Sequence, residues 1–206
     1  MGIIKNTVKK VVKDTFKKPL EESEEEPMRL TFATGLIPDP EDERDYKYKS
    51  LKSKQFDISN LPKRVDYSNE MSPVKSQQKL GSCVAFALAA VKEWQEKKEY
   101  LRERKKGSKY KRNSAEYDLS EMWIYKNCKK IDNFPDSEGT TIRAGLKTLN
   151  KLGVPKEKAW PYTDNLNEVG KPTPWSKMTA RWKKIKGYYK LNSIEEVVDH
   201  LYNHGP

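Results

Sequence analysis

A cysteine and a glutamine six residues apart are the side chains of this sequence best suited to chemistry. Cys83 stands at the start of a predicted apolar helix, and Gln77 precedes it. A thiol is nucleophilic only as its thiolate, and the unpaired N–H groups at a helix N-terminus favour an anion there. The Gln77 amide, together with the backbone N–H of Cys83, is suited to bind a developing oxyanion. The pair therefore predicts a cysteine nucleophile.

The residues just before the cysteine favour this interpretation over a structural one. A lone free cysteine is usually a small buried hydrophobe. Gly81 lets the backbone approach a substrate closely, and Ser82 is a good cap for the helix that follows. With Gln77, Gly81 and Ser82 in register, we favour a catalytic role for Cys83. The second cysteine, Cys128, is predicted to be structural.

Four predicted helices make the chain mainly helical, with little sheet. Serine caps begin three of them, and a glycine with a proline two residues later ends the other one. The charged stretch 97–112 is expected to project as an arm or loop, and residues 182–191 are expected to be extended. The residues that mark and pack the helices are Ser82 with Val84 and Phe86, Ser120 with Met122 and Trp123, Ile142 with Leu146, Leu149, Leu152 and Gly153, and Ser193 with Glu196, Val197 and Leu201.

The sequence divides into three predicted segments. Residues 1–34 combine a basic amphipathic leader with an acidic linker, residues 35–60 form an extended pre-domain segment rich in turn formers, and residues 61–206 form the compact part. The basic leader either docks on the body of the protein or lies on a membrane surface. The membrane is the weaker interpretation.

Composition narrows the class of partner and the compartment. The net charge of +11 favours acidic partners in general. However, no zinc-finger spacing or aromatic–basic motif supports a nucleic-acid module, and lysines alternate with glutamates along most of the chain. Two cysteines in 206 residues make no disulfide framework, and the sequence has neither a signal peptide nor an apolar run of membrane-spanning length. We therefore expect a cytoplasmic or otherwise intracellular protein that binds no nucleic acid.

Five motifs, in order along the chain, resemble the papain family of cysteine peptidases in its prokaryotic-type form. A leader at 35–46 and a domain start at 61–68 come before the approach to the cysteine at 72–77. A helix opening, Leu-Ser-Glu, follows at 119–121, and a Gly-Val-Pro to Trp-Pro-Tyr segment follows at 153–162. A single motif of this kind would be weak evidence, but five in the family's order are strong evidence.

The resemblance covers about residues 35–206 and implies the helical (left) domain of the papain-like α+β fold. It implies an extended polypeptide substrate that is bound beside the nucleophile, with neither a cofactor nor a metal. The site residues that it implies are Cys83 as nucleophile, Gln77 as oxyanion donor, and Gly81, Ser82 and Gly139 as substrate contacts.

Three residues depart from the family's pattern. Leu80 replaces a disulfide cysteine, Val84 replaces the aromatic neighbour of the nucleophile, and Glu138 replaces the first of two glycines. Because Leu80 stands at that position, the resemblance implies that the disulfide bridge found in other family members is absent here. It also implies that the packing around the nucleophile and the backbone contacts to substrate differ from those of other members.

The histidine that completes such a site is expected about 130–150 residues after the cysteine, at about position 213 or later. His200 and His204 fall short of that window, and we interpret them as polar residues near a helix C-terminus. Their spacing also fits a shared metal, but Leu201 stands at the glutamate position of an HExxH motif and no third ligand is evident. We therefore expect that the β-rich domain, which carries the histidine and its Asn or Asp partner, is truncated.

These observations predict a papain-like cysteine peptidase that hydrolyses peptide bonds, with this chain inactive when it is alone. Its predicted partners are a polypeptide substrate and a missing C-terminal β-domain, supplied in cis or in trans. A non-catalytic protein-binding homologue, or one half of a two-chain assembly, is the alternative. Residues 1–60 are a candidate propeptide over the cleft, on the grounds of their position and extended composition.

Overall fold

A computed structural model describes residues 35–48, 64–107, 109 and 117–206 of the chain. These residues all fall within one compact unit, Phe32–Pro206. The predicted basic leader and acidic linker, and the predicted start of the compact part near residue 61, lie outside the described residues.

The described residues form five α-helices, one parallel two-stranded sheet and three short 3-10 turns. The helices are α1 (Cys83–Lys105), α2 (Glu121–Cys128), α3 (Ile142–Lys151), α4 (Pro174–Ala180) and α5 (Ile194–Asn203). The strands are β1 (Leu36–Ile37) and β2 (Thr140–Thr141), and the 3-10 turns are Ser68–Glu70, Glu157–Ala159 and Arg181–Lys183. Within the described ranges, no helix has the length and apolar character that a membrane crossing needs.

The core forms where α1, α2 and α3 pack together. Small side chains on α1 let the neighbouring helices approach closely, since Ala85 and Ala89 are fully buried. The short helix α2 is the centre of this core and is buried along most of its length. The other buried apolar side chains of the core include Leu80, Leu119, Met122, Ile124, Tyr125, Leu149, Val154 and Trp160.

The predicted serine caps of α2 and α5 are confirmed. Ser120 Oγ accepts a hydrogen bond from the backbone N of Trp123 at 3.1 Å, and Ser193 Oγ accepts one from Glu196 N at 3.2 Å. The predicted stop of α3 is also confirmed, because Gly153 follows its last turn with a φ of 75° that favours glycine.

The first helix is longer than its apolar part predicts. α1 continues to Lys105, so residues 97–105, which we expected in an arm or loop, are helical. Glu, Lys, Arg and Leu are good helix formers, and the charged stretch therefore extends the helix. Farther back on α1, Lys92 and Glu96 form a buried ion pair of 2.6 Å.

The apolar stripe predicted for α3 is not the face that the helix buries. Ile142 and Leu152 are 43% and 41% exposed, whereas Leu149 is buried. The buried face instead includes Gly145, where an added Cβ would overlap the side chain of Leu88 on α1. The face of α3 that packs closely on α1 therefore carries small residues. The larger residues at the two ends of α3 face outward.

The helix α4 was missed by the sequence analysis, although its start has a recognisable signal. Thr173 Oγ1 accepts a hydrogen bond from Ser176 N at 3.1 Å, and Pro174 occupies the first helical position. A capping threonine followed by proline is a common helix opening.

The extended segment predicted at 182–191 is only partly correct. Trp182 lies in a 3-10 turn and is 71% exposed. The described part of the chain gives this segment a single isolated bridge, between Lys190 and Lys47. A strand needs a partner along its length, and one bridge does not supply it.

A segment that we call the strap (residues 35–48) joins the body first through the small sheet. Its strand β1 pairs with β2 in parallel, with Leu36 opposite Thr140. Thr140 N also donates a hydrogen bond to Gly35 O at 2.8 Å. These bonds attach the start of the strap directly before α3.

Side chains attach the rest of the strap. The Arg143 guanidinium binds the Asp45 carboxylate at 2.5 Å, and the Arg143 backbone N donates to Asp39 at 2.9 Å. At the other end, the Tyr48 hydroxyl donates to the buried Asp199 carboxylate at 3.0 Å. The backbone bridge between Lys47 and Lys190 adds to these contacts, so the strap is attached at both of its ends and between them.

Candidate active site

The two cysteines occupy different surroundings. Cys83 is the first residue of α1 and is half-buried, whereas Cys128 is fully buried at the end of α2. Burial raises the pKa of the Cys128 thiol to about 12. Cys128 therefore has the environment of a structural thiol, while Cys83 has the partial exposure and helix N-terminus that a nucleophile needs.

Ser82 stands at the predicted cap position, but its side chain does not cap the helix. The residue is fully buried, and its hydroxyl lies 2.7 Å from the Tyr162 hydroxyl. The backbone N of Ser82 donates to Leu80 O at 2.7 Å, which tightens the turn before Cys83. Ser82 thus connects the start of α1 to the segment that carries Tyr162.

Gln77 lies in the same loop and is held at two points. Its Nε2 donates to Leu80 O at 3.0 Å, and its own carbonyl oxygen accepts from the Tyr162 hydroxyl at 2.7 Å. Gln78, the next residue, has a φ of 54°, so the loop turns sharply here. The side-chain amide predicted to bind an oxyanion therefore belongs to an ordered loop.

Tyr162 was missed as a site residue by the sequence analysis. Its hydroxyl has one hydrogen, which it donates to Gln77 O, so the Ser82 hydroxyl is the donor between the two side chains. Its ring also packs edge-on against Phe86 of α1, with 4.8 Å between the ring centroids. The Tyr162 side chain thus joins the Gln77 loop to the first turn of α1, which begins at Cys83. Eighty residues separate it from Ser82, so only the fold reveals the contact.

Tyr162 is bound through its backbone to Glu157, which belongs to a cluster of buried carboxyl groups. The Tyr162 backbone N donates to Glu157 Oε1 at 2.5 Å. The other oxygen, Oε2, is buried and has no hydrogen-bond partner among the described residues. Burial and the nearby charge of Glu121 raise the pKa of Glu157 to about 7. This carboxyl group therefore holds its proton in mildly acidic solution.

Lys75 compensates the other carboxylates of the cluster. Its Nζ lies 2.6 Å from Glu121, 2.5 Å from Asp118 and 3.4 Å from Glu93. Burial opposes the charge of Lys75, but hydrogen bonds to Asp118 and Glu121 outweigh it and raise the pKa of the ammonium group. A single lysine thus holds the start of α2 against α1, just ahead of the Gln77 loop.

The two predicted substrate-binding glycines are brought together by the strap. A Cβ on Gly35 would overlap the Gly81 carbonyl oxygen, and a Cβ on Gly139 would lie 2.7 Å from Gly35 O. Gly81 N also lies 3.4 Å from a carboxylate oxygen of Glu138. Gly35 therefore rests against both glycines, which the sequence places far apart.

The two histidines lie elsewhere in the fold. His200 is in the last turn of α5 and His204 follows that helix, with 5.2 Å between their ring centroids. Both line a cavity of about 430 Å³ whose lining includes Tyr48 but neither Cys83 nor Gln77. Among the described residues, no group of three His, Cys, Asp or Glu side chains is placed to hold a metal ion.

The comparison with known protein families decides the identity of the fold. A family model described as papain family cysteine protease matches residues 61–206. The chain belongs to this family. Its helix-rich structure resembles the papain-like fold, as the sequence predicted.

Two relatives show how much of a family member the chain represents. The crystal structure of xylellain, a cysteine protease from Xylella fastidiosa, is 30% identical with a TM-score of 0.63, and the match covers 84% of this chain and 64% of that one. An uncharacterized peptidase C1-like protein of Acanthamoeba polyphaga mimivirus is 26% identical over 186 residues, and the match covers 81% of this chain and 56% of the viral protein. The chain thus spans between half and two-thirds of the length of these relatives.

The raised pKa of Glu157 predicts how stability depends on pH. The folded-state pKa, about 7, lies above the ordinary value of 4.5. Ionisation is therefore less favourable in the folded protein, and stability is lost as the pH rises from about 4.5 to above 7. We expect Glu157→Gln to remove this loss, which is roughly 2–3 kcal/mol between pH 4 and pH 8.

Urea unfolding across this pH range measures the effect for the wild type and for Glu157→Gln. The control is Glu168→Gln, which removes an exposed carboxylate and should leave the pH profile unchanged. A Glu157→Gln profile that runs parallel to that of the wild type would show that Glu157 ionises normally in the fold.

Proposed function

We propose that this papain-family chain supplies the nucleophile-bearing half of a cysteine peptidase. Cys83 is the nucleophile, and its Sγ forms a bond to the peptide carbonyl carbon. The Gln77 amide and the Cys83 backbone N–H stabilise the oxyanion that results. The C–N bond then breaks, the amine leaves with a proton from a histidine, and water hydrolyses the thioester. The partial exposure of Cys83 at the first position of α1 is the observation that supports this proposal best.

The histidine in this scheme comes from outside the described residues. His200 and His204 line a cavity whose lining includes neither Cys83 nor Gln77. The family resemblance implies a histidine in a β-rich domain, and 36% of the xylellain chain lies outside the match. We therefore propose that a further domain, in cis or in trans, completes the site and that this chain without it does not turn over peptides.

The strap is proposed to act as a removable cover of the substrate cleft. Gly35 rests against Gly81 and Gly139, the two positions at which the family resemblance implies contact with a substrate backbone. A substrate backbone and the strap cannot occupy that position together. Release of the strap therefore precedes substrate binding.

The first experiment compares Cys83 with a thiol at the start of another helix. Ile194→Cys in a Cys83→Ala background places a more exposed thiol at the first position of α5, also after a serine. We expect a peptide-derived epoxide to label Cys83 at least about tenfold faster, because only Cys83 has an adjoining oxyanion and substrate site. Mass spectrometry of the labelled peptides gives both rates.

Iodoacetamide, which uses no peptide recognition, is the control reagent and should reduce the difference between the two thiols. Buried Cys128, with a pKa of about 12, should be the slowest with both reagents. If the epoxide prefers the thiol at position 194, Cys83 is an ordinary cysteine. The non-catalytic alternative is then the better account of the chain.

The second experiment loosens the strap. Arg143→Ala removes the guanidinium contacts with Asp45 and with Pro40 O. Loss of these charge-assisted bonds should weaken strap attachment by about 1 kcal/mol and raise the epoxide labelling rate of Cys83 about fivefold. Arg102→Ala removes an exposed arginine from α1 and should not change the rate. Equal rates for the two variants would mean that the strap does not limit access to the thiol.

A further inference from the structure

A concave surface formed by α2, the end of α3 and α4 collects five positively charged side chains. We call it the cationic groove, and its charged residues are Lys130, Lys151, Lys177, Arg181 and Lys184. The groove has a volume of about 450 Å³ and no carboxylate among its lining residues. It shares no lining residue with the loop and helix start that carry Gln77 and Cys83.

The sequence around α4 has an unusual charge balance. Residues 169–194 contain seven lysines and arginines and no aspartate or glutamate. The whole chain has 30 acidic and 41 basic residues, so about five acidic residues would accompany seven basic ones at that ratio. The alternation of lysine with glutamate that holds along most of the chain therefore breaks at this point.

The groove cations are not compensated within the described part of the chain. The ion pairs there involve other lysines and arginines, such as Lys75, Lys92 and Arg143. Lys130 donates to the neutral Asn127 Oδ1 at 3.0 Å. Like charges that converge without counter-charges destabilise the fold, and a bound anion relieves this repulsion.

We propose that the cationic groove binds a compact oligophosphate, a ligand in which two or more phosphate groups are linked. A sphere of about 450 Å³ is about 10 Å across. The first and fifth side chains of an extended acidic peptide lie about 14 Å apart. Linked phosphates place several negative charges within the smaller distance. Arginine and lysine are also the side chains that bind phosphate best.

The walls of the groove favour an organic phosphate. Leu152 lines it and is 41% exposed, and Pro172 lies beside the same groove. These apolar surfaces can contact the non-phosphate part of a ligand. The phosphate could belong to a soluble molecule or to a lipid headgroup, and the experiment distinguishes the two sources.

The test uses the full chain and tripolyphosphate as the probe, with ionic strength held constant. We expect tripolyphosphate to raise the melting temperature and to bind by calorimetry, with at least about tenfold weaker binding in Lys177→Glu and in Arg181→Glu. Without ligand, both variants should melt at a higher temperature than the wild type, because each removes like-charge repulsion. Lys105→Glu makes the same charge change outside the groove and should bind normally.

Two further measurements identify whether the phosphate belongs to a lipid or to a soluble molecule. Co-sedimentation with vesicles that contain a phosphoinositide, and not with phosphatidylserine vesicles, would assign the phosphate to a lipid. Binding of soluble tripolyphosphate without co-sedimentation would assign it to a soluble ligand. Both results support the proposal only if Arg181→Glu abolishes them.

Several results would overturn the proposal. Equal stabilisation by sulfate would indicate diffuse screening, and unchanged binding in both glutamate variants would place the ligand elsewhere. Tighter binding of a hexaglutamate peptide or of single-stranded DNA than of tripolyphosphate would assign the groove to an extended polyanion.

Discussion

The hydroxyl group of Tyr162 makes the contact on which the candidate site depends. It donates to the carbonyl oxygen of Gln77 and lies 2.7 Å from the Ser82 hydroxyl, so it joins the predicted oxyanion loop to the start of α1. An oxyanion site needs its donors fixed before the charge develops. Ser82 makes no side-chain cap, so the Tyr162 hydroxyl adds to the bonds from Ser82 N and Gln77 Nε2 to Leu80 O that fix the turn ahead of Cys83.

Two other parts of the fold contact the residues around this hydrogen-bonded group. On the inner side, Glu157 holds the Tyr162 backbone, and Lys75 compensates the carboxylates around it. This support involves buried charge, which is costly unless it is paired or neutralised by a proton. On the outer side, Gly35 of the strap rests against Gly81. The loop before Cys83 is therefore bound to Tyr162, which Glu157 holds, and is contacted by the strap at Gly81.

Local signals in the sequence predict where a helix begins when a capping side chain marks its start, as Ser120 and Ser193 do. The motifs around Cys83 also suffice to predict the family and the candidate nucleophile. Contacts between distant residues could not be predicted. Tyr162 reaches Ser82 across the fold, and the small face of α3, rather than its apolar stripe, packs on α1. Periodicity describes one helix at a time, whereas burial depends on the neighbour's shape.

Tyr162 is expected to position the proposed oxyanion donors beside Cys83, and reversible binding of a peptide aldehyde measures this role. The aldehyde forms a thiohemiacetal with the thiol and places its oxygen where an oxyanion would develop. We predict that Tyr162→Phe keeps the fold, retains iodoacetamide labelling and weakens aldehyde binding about tenfold, in the same direction as Gln77→Ala. Aldehyde affinity that is unchanged in Tyr162→Phe but lost in Cys83→Ala would show that Tyr162 does not position the oxyanion donors.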